Sequence, residues 1–189
     1  MNPTVTAMRL ETERLLIRPY VEDDLMESFE LMQHPELFAY MHIDLMQLDA
    51  YKALFRWLLD SYNTPFDQPF QYSFAMFSKA TGRFIGWCGV GVLDFKWPDK
   101  ELYYLIGRDY WGNGYASEAA AALIDYAFEA MGLERLYAKA DPRNVASLRV
   151  LGKLGFAFDG VLSGLTGNDA DCNGEWLHVL TREQHRGKA

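Results

Sequence analysis

The ten residues Asp109-Tyr110-Trp111-Gly112-Asn113-Gly114-Tyr115-Ala116-Ser117-Glu118 constrain this chain more than any other stretch. They stand between a strand pattern, Glu101 to Gly107, and the longest unbroken helical pattern, Tyr115 to Met131. Two glycines one residue apart let the backbone turn tightly and leave several N–H groups with no side chain above them. Those groups lie at the positive end of a helix dipole, so the turn reads as a cradle for an anion such as a phosphate or pyrophosphate. A Walker-type phosphate loop needs a Lys after its second glycine, and here Tyr115 and Ala116 follow Gly114, which excludes it. A dinucleotide fingerprint lacks its third glycine, because Ser117 stands there, and the rest of the chain supplies too few β-α units for a doubly wound sheet.

The remaining pattern is mixed. Leu10 to Arg18 reads as a strand closed by Pro19, and Glu22-Asp23-Asp24 opens a helix that carries Leu25, Phe29 and Met32. A second helix, Gln47 to Tyr62, places Tyr51, Leu54, Phe55, Leu58 and Leu59 at helical spacing. Phe70 to Ser78 and Phe84 to Leu93 are strands around the turn Ala80-Thr81-Gly82-Arg83. Beyond the helix that Gly132 stops come a strand from Arg135 to Ala140 and a helix from Asn144 to Leu154. Phe156 to Leu162 and Glu175 to Thr181 are the last two strands, on either side of a polar loop. This is an α+β chain with seven strands and helices on the faces of the sheet. Its 189 residues, 50% hydrophobic, suffice for one well-cored domain spanning 1–189.

Charge and special residues exclude several functions. Acidic residues outnumber basic ones 26 to 18, for a net charge of −8, which argues against a nucleic-acid partner. The same balance suits a cationic partner such as an amine, although acidity of this degree is common. Cys88 and Cys172 lack metal or redox spacing, and His34, His42, His178 and His185 lack ligand spacing, so no metal site is expected. Cys88, in an apolar strand, reads as a small buried residue. Trp57, Trp87 and Trp97 read as core or pocket wall, and the acidic run Asp169, Asp171 and Glu175 as a solvated loop, with a face toward a cationic acceptor as its other reading. Met1 to Met8 hold no signal-type apolar run and no membrane-length segment follows, so a cytoplasmic protein with no membrane partner is expected.

The segment Trp111-Gly112-Asn113-Gly114-Tyr115-Ala116-Ser117-Glu118-Ala119 resembles the acetyl-coenzyme A pyrophosphate loop of the GNAT superfamily of N-acetyltransferases. Its form is similar to that of the subfamily that acetylates N-terminal amines of ribosomal proteins. Leu10-Glu11-Thr12-Glu13-Arg14-Leu15-Leu16-Ile17-Arg18-Pro19 resembles that subfamily's first strand. Asn144-x-x-Ser147-x-x-Val150-Leu151-x-Lys153-Leu154-Gly155-Phe156 resembles its second CoA-contacting helix, and Asp159-Gly160-Val161-Leu162 the strand that follows. Asp109 departs from the pattern, since Gln or Arg is common there.

The resemblance implies a mainly antiparallel sheet of seven strands, splayed between the fourth and fifth to admit acetyl-CoA. Backbone groups of Leu105, Ile106 and Gly107 would pair with the pantetheine, and amides of Gly112, Asn113, Gly114, Tyr115 and Ala116 would bind the pyrophosphate. Asn144 would cap the helix and touch the cofactor. Ser147 would contact the thioester sulfur, positioning or protonating it. Glu101 aligns with a subfamily Glu and is the candidate base, with a solvated strand-end carboxylate as its other reading. Tyr103 replaces a family Gly and would narrow an acceptor site that Trp87 lines. By alternation Glu101 and Tyr103 share one face of their strand, and Leu102 and Tyr104 the other. Tyr137 lies mid-strand across the gap, its direction unfixed by alternation. The implied function is direct transfer of acetyl to a primary amine in a ternary complex, by a monomer or homodimer. The acceptor would be a protein N-terminus or a small molecule. The alternative is a non-catalytic acyl-CoA sensor on the same fold.

Overall fold

Runs of alternating or continuous apolar residues form strands β1 (Leu10–Glu11), β2 (Leu15–Pro19), β3 (Gln71–Ser78) and β4 (Phe84–Val92). Strands β5 (Lys100–Ile106), β6 (Arg135–Ala140), β7 (Ala157–Val161) and β8 (Trp176–Thr181) follow. The helices are α1 (Pro3–Thr6), α2 (Leu25–Leu31), α3 (Leu48–Ser61), α4 (Tyr115–Glu129), α5 (Val145–Leu154) and α6 (Arg182–Arg186). The computed structural model describes residues 3–41 and 43–187, and His42 lies outside them. The strands make one sheet in the order β1-β2-β3-β4-β5-β6-β8-β7. Neighbours run antiparallel except β5 and β6, which are parallel and share one registered pair, Glu101↔Tyr137. That single pair is where the sheet splays.

The sheet has eight strands where the sequence suggests seven, because the run from Leu10 to Arg18 breaks in two. The Thr12 N–H donates to Leu15 O at 3.0 Å. In return the Leu15 N–H donates to Thr12 Oγ1 at 2.9 Å. The resulting turn folds β1 back on β2, with Leu10 opposite Ile17. Nor do Glu22, Asp23 and Asp24 begin the helix; they form a short 3-10 turn ahead of α2. Asp24 is buried there because it binds both Arg18 Nη atoms, at 2.6 and 2.8 Å, and accepts the Val21 N–H at 2.8 Å. The short α6 starts from a capping box in which Thr181 and Gln184 satisfy each other.

Side-chain alternation assigns the helices to faces. Trp87 of β4 meets Met32, just past α2, and Trp87 lies opposite Leu105 of β5. Tyr104, the neighbour of Leu105, points the other way and meets Ser147 of α5. Tyr126 of α4 packs on Phe74, which shares Tyr104's face through Cys88. Helices α4 and α5 thus cover one face, while α2 covers the other with α3 beside it through Phe29 and Tyr51. Ala119, Ala120, Leu123, Ile124 and Ala127 of α4 are fully buried, so the helix that follows the glycine turn is anchored by its whole inner stripe.

Candidate active site

The glycine turn has the geometry of an anion cradle. Gly112 and Gly114 have φ of +75° and +82°, a left-handed conformation that side-chain-bearing residues adopt at a cost. Gly114 is the N-cap of α4, no side chain caps that end, and the Glu118 N–H bonds back to Gly114 O at 3.1 Å. The amides before it have no acceptor within the helix. A Cβ placed on Gly112 would meet nothing within 4 Å, so the turn is open on that side.

Side chains far apart in sequence hold this turn. The Trp111 indole donates to Ile106 O at 2.7 Å, tying the turn to the end of β5. Arg14, from the turn between β1 and β2, donates to Asn113 O at 2.9 Å and to Glu118 Oε2 at 2.7 Å. Glu118 also accepts the Arg14 N–H at 2.9 Å and the Thr12 hydroxyl. Partial burial works against the Glu118 carboxylate, yet the bonds from Thr12 and Arg14 hold its pKa below the ordinary value. Arg14 further stacks on the Tyr115 ring, 4.5 Å from its centroid. It brings to the turn a cation that Asp109 does not. Thr12, Arg14 and Glu118 all lie in the motifs noted above, but no spacing links them.

Strand β5 presents alternate backbone groups to the gap, which bears on the expected pantetheine contact. The Gly107 N–H is committed to Ile85 O of β4 at 2.8 Å. Leu105 O also faces β4, since a Cβ on Gly86 would fall 2.1 Å from it. By the period of two, Tyr104 and Ile106 turn their backbone toward the gap instead. Of Leu105, Ile106 and Gly107, only Ile106 faces the gap, and its carbonyl is the one that Trp111 holds.

A cavity of about 690 Å³ opens at the gap and takes residues from both faces of β5. Glu101 enters it as half of an ion pair, with Lys139 Nζ of β6 at 3.2 Å. Burial disfavours the Lys139 ammonium, but Glu101, Cys172 and Glu175 more than offset this and raise its pKa above the ordinary lysine value. On the other side of β5, the Tyr104 and Ser147 hydroxyls share a hydrogen bond at 2.9 Å. Burial pushes the Tyr104 phenol up to about 12. Asn144 caps α5 by accepting the Ser147 N–H at 3.1 Å, which fixes the serine at the cavity edge.

Tyr103 lies flat across β4. Its hydroxyl donates to Tyr72 O of β3 at 2.8 Å and lies 3.1 Å from Ser73 Oγ. Only a glycine at position 89 permits this, for a Cβ there would sit 2.3 Å from the Tyr103 ring. Trp87 packs edge-on against Tyr103 with centroids 5.7 Å apart, so the two form a cavity floor. The opposite wall comes from Met41, Ile43 and Met46 of the connection before α3, and from Leu54, Trp57 and Leu58 of α3.

Other expected placements shift. Asp171 and Glu175 border the cavity instead of forming a purely solvated loop. Trp97 is 51% exposed and covers the Lys100 ammonium at 4.2 Å, so it is neither core nor pocket wall. Tyr137 packs in a small separate cluster with Leu93, Leu162 and Leu177. Cys88 is fully buried, and burial drives its thiol pKa far up. Among the described residues no group of three or more His, Cys, Asp or Glu is placed to hold a metal, and no helix is long and apolar enough to cross a membrane. Lys139, Tyr104 and Arg14 are the site residues that sequence reasoning missed.

The chain is similar to known proteins in sequence and fold. The family described as "Acetyltransferase (GNAT) domain" matches residues 14–157. A Bacillus licheniformis protein named "Uncharacterized N-acetyltransferase p20" is 34% identical over 153 residues, covering 81% of this chain and 84% of its own. The Mycobacterium smegmatis RimJ structure in complex with CoA-disulfide superposes with a TM-score of 0.80 at 19% identity, covering 97% of this chain and 91% of that one. A spermidine N-acetyltransferase from Vibrio cholerae, in complex with CoA and spermine, has a TM-score of 0.74 at 15% identity, covering 93% and 99%. The present chain belongs to the GNAT acetyltransferase family and is, as such, an acetyl-CoA-dependent acetyltransferase.

Proposed function

We propose that the protein transfers acetyl directly from acetyl-CoA to a primary amine while both are bound. The observation that carries this reading is that one cavity borders both Glu101 and Ser147, on opposite faces of the strand beside the gap. A donor laid through the gap and an amine in the cavity would therefore meet without a covalent enzyme intermediate. The two glycines and the amides of Asn113, Tyr115 and Ala116 would take the pyrophosphate, with Arg14 alongside.

The amine arrives as an ammonium and must lose a proton before it attacks. Glu101 receives that proton, with Lys139 holding the carboxylate in place. As the C–N bond forms, gap-facing N–H groups of β5 stabilise the carbonyl oxyanion. As the C–S bond breaks, the sulfur needs only modest help, since a thiol of this kind ionises near about 8.5. The Ser147 hydroxyl donates a hydrogen bond to the departing sulfur while Tyr104, protonated at neutral pH, donates to Ser147. The second proton shed by the nitrogen after attack passes to the thiolate, leaving amide and free thiol. Tyr104 thus adds a second hydroxyl to the role expected of Ser147.

Thiol release from acetyl-CoA tests the reading. Release is expected only with an amine present, in one-to-one ratio with N-acetyl product. Binding of acetyl-CoA with no release under any amine would make the protein a sensor. A burst of thiol before amine is added would replace direct transfer with a covalent intermediate.

A further inference from the structure

The cavity is strongly two-sided, and this bears on which amine it takes. At its β6 end stand Glu101 with Lys139, Asp141, Asp171 and Glu175. The Glu101–Lys139 pair cancels internally, and Asp141 is bonded to Arg143 at 2.5 Å. Acidic lining residues there outnumber basic ones four to one, which suits one ammonium near the reacting end.

The α3 wall is different in kind. Met41, Ile43, Met46, Leu54, Trp57 and Leu58 line it, and none of them carries a charge. On the cavity floor, Tyr103 spends its hydroxyl on Tyr72 O and so offers a bound molecule mainly its ring. At the mouth, Tyr40, Met41, Ile43 and Trp57 are 40%, 39%, 37% and 50% exposed, an unusual concentration of large apolar side chains in contact with water.

From this pairing of an acidic end with an apolar wall, we infer that the acceptor is a primary monoamine carrying an aromatic or branched aliphatic body. The inference rests on the acetyl-transfer reading above. The nitrogen sits toward Glu101 and Asp171 and the body lies on Trp57, Leu54 and Met46. A polyamine would set its distal ammonium against this apolar wall, which offers it no carboxylate among the described lining residues. A peptide N-terminus would bring backbone amides to a surface with few polar partners.

The test is a comparison of kcat/KM by thiol release for phenethylamine, isoamylamine, ethylamine, spermidine and an alanine-starting peptide. Burying a phenyl or isobutyl group should favour phenethylamine and isoamylamine over ethylamine by about tenfold or more. Spermidine and the peptide should fall below both. A higher kcat/KM for spermidine or the peptide overturns the inference while leaving acetyl transfer intact. No release with any amine, despite measurable acetyl-CoA binding, removes the underlying reading instead. Trp57→Glu supplies a second arm, because the half-exposed Trp57 can be replaced without opening the core. It should raise KM for phenethylamine about tenfold, with KM for acetyl-CoA little changed. An unchanged phenethylamine KM overturns the role given to the wall.

Discussion

The proposed donor side and the proposed acceptor side of this site are built from different materials. The donor side is mostly backbone: two left-handed glycines, the open amides of α4, and the gap-facing edge of β5. Hydrogen bonds from Arg14, Thr12 and Trp111, and the one Asn144 accepts from the Ser147 N–H, keep that backbone in shape. The acceptor wall is almost wholly side chain, with three methionines, Met32, Met41 and Met46, among its linings. Backbone recognition suits a partner that never changes, because most substitutions leave it untouched. A methionine-rich wall can be reshaped one residue at a time without disturbing the sheet. The contrast predicts that donor binding is sensitive at a few backbone positions and acceptor binding is graded over many side chains.

The sharpest way to break the comparison is at Gly114. A Gly114→Val change forces a β-branched residue to φ +82° and brings a Cβ within 3.5 Å of Arg14 Nη2. The turn must rearrange, and its amides no longer converge on the pyrophosphate. Loss of two charge-assisted hydrogen bonds corresponds to about 3 kcal/mol or more, roughly a hundredfold or more in Kd for acetyl-CoA. Calorimetric titration should show this loss with the circular dichroism spectrum retained. An affinity within a few-fold of wild type would mean that the turn is not the cradle.

Glu101→Gln probes the point where the two sides meet. The change is isosteric and lies away from the glycine turn, so acetyl-CoA affinity should hold while kcat falls by about a hundredfold, the usual scale for losing a general base. The deficit should shrink as pH rises, because an amine near about 10.4 increasingly arrives neutral. A deficit equal at every pH would assign Glu101 to placing Lys139 or the acceptor, with no part in proton removal.

Much of the donor side was legible in the sequence because its constraint is local. A strand, two glycines and an alanine-rich helix lie within about 30 consecutive positions, and α4 begins at Tyr115 as the pattern requires. What the sequence hid depends on partners distant along the chain. The break after β1 has no glycine, proline or asparagine to signal it, and Glu118, over 100 residues away, helps fasten it. Alternation put Tyr103 and Tyr104 on opposite faces, as found. It could not reveal that Gly89 lets one ring lie flat while the other reaches Ser147. Lys139 meets Glu101 only because β6 pairs parallel to β5, a register fixed by tertiary structure. The helix behind the acceptor wall was legible as a helix, while the wall itself emerged only when that helix met the connection before it.

The smallest expected effect concerns the fastening of the donor turn itself. Arg14 and Glu118 make an exposed-to-partly-buried pair, with side chains 41% and 18% accessible, so its contribution to stability is modest. Its sign is nevertheless fixed. The folded-state pKa of Glu118 lies below the ordinary glutamate value of 4.5 that describes the unfolded chain. The stabilisation is therefore complete well above pH 4.5 and is lost as pH falls through the lower, folded value. Thermal midpoints of wild type and Glu118→Gln should differ most near neutrality and converge below pH 4.5. Over the upper part of that range, KM for acetyl-CoA in the variant should rise about threefold, as expected when one partly exposed ion pair is lost. A difference in midpoint that persists to low pH would mean that Glu118 acts through packing. The rise in KM would then have to come from displacement of the α4 terminus, and the donor side would depend on side-chain packing as the acceptor side does.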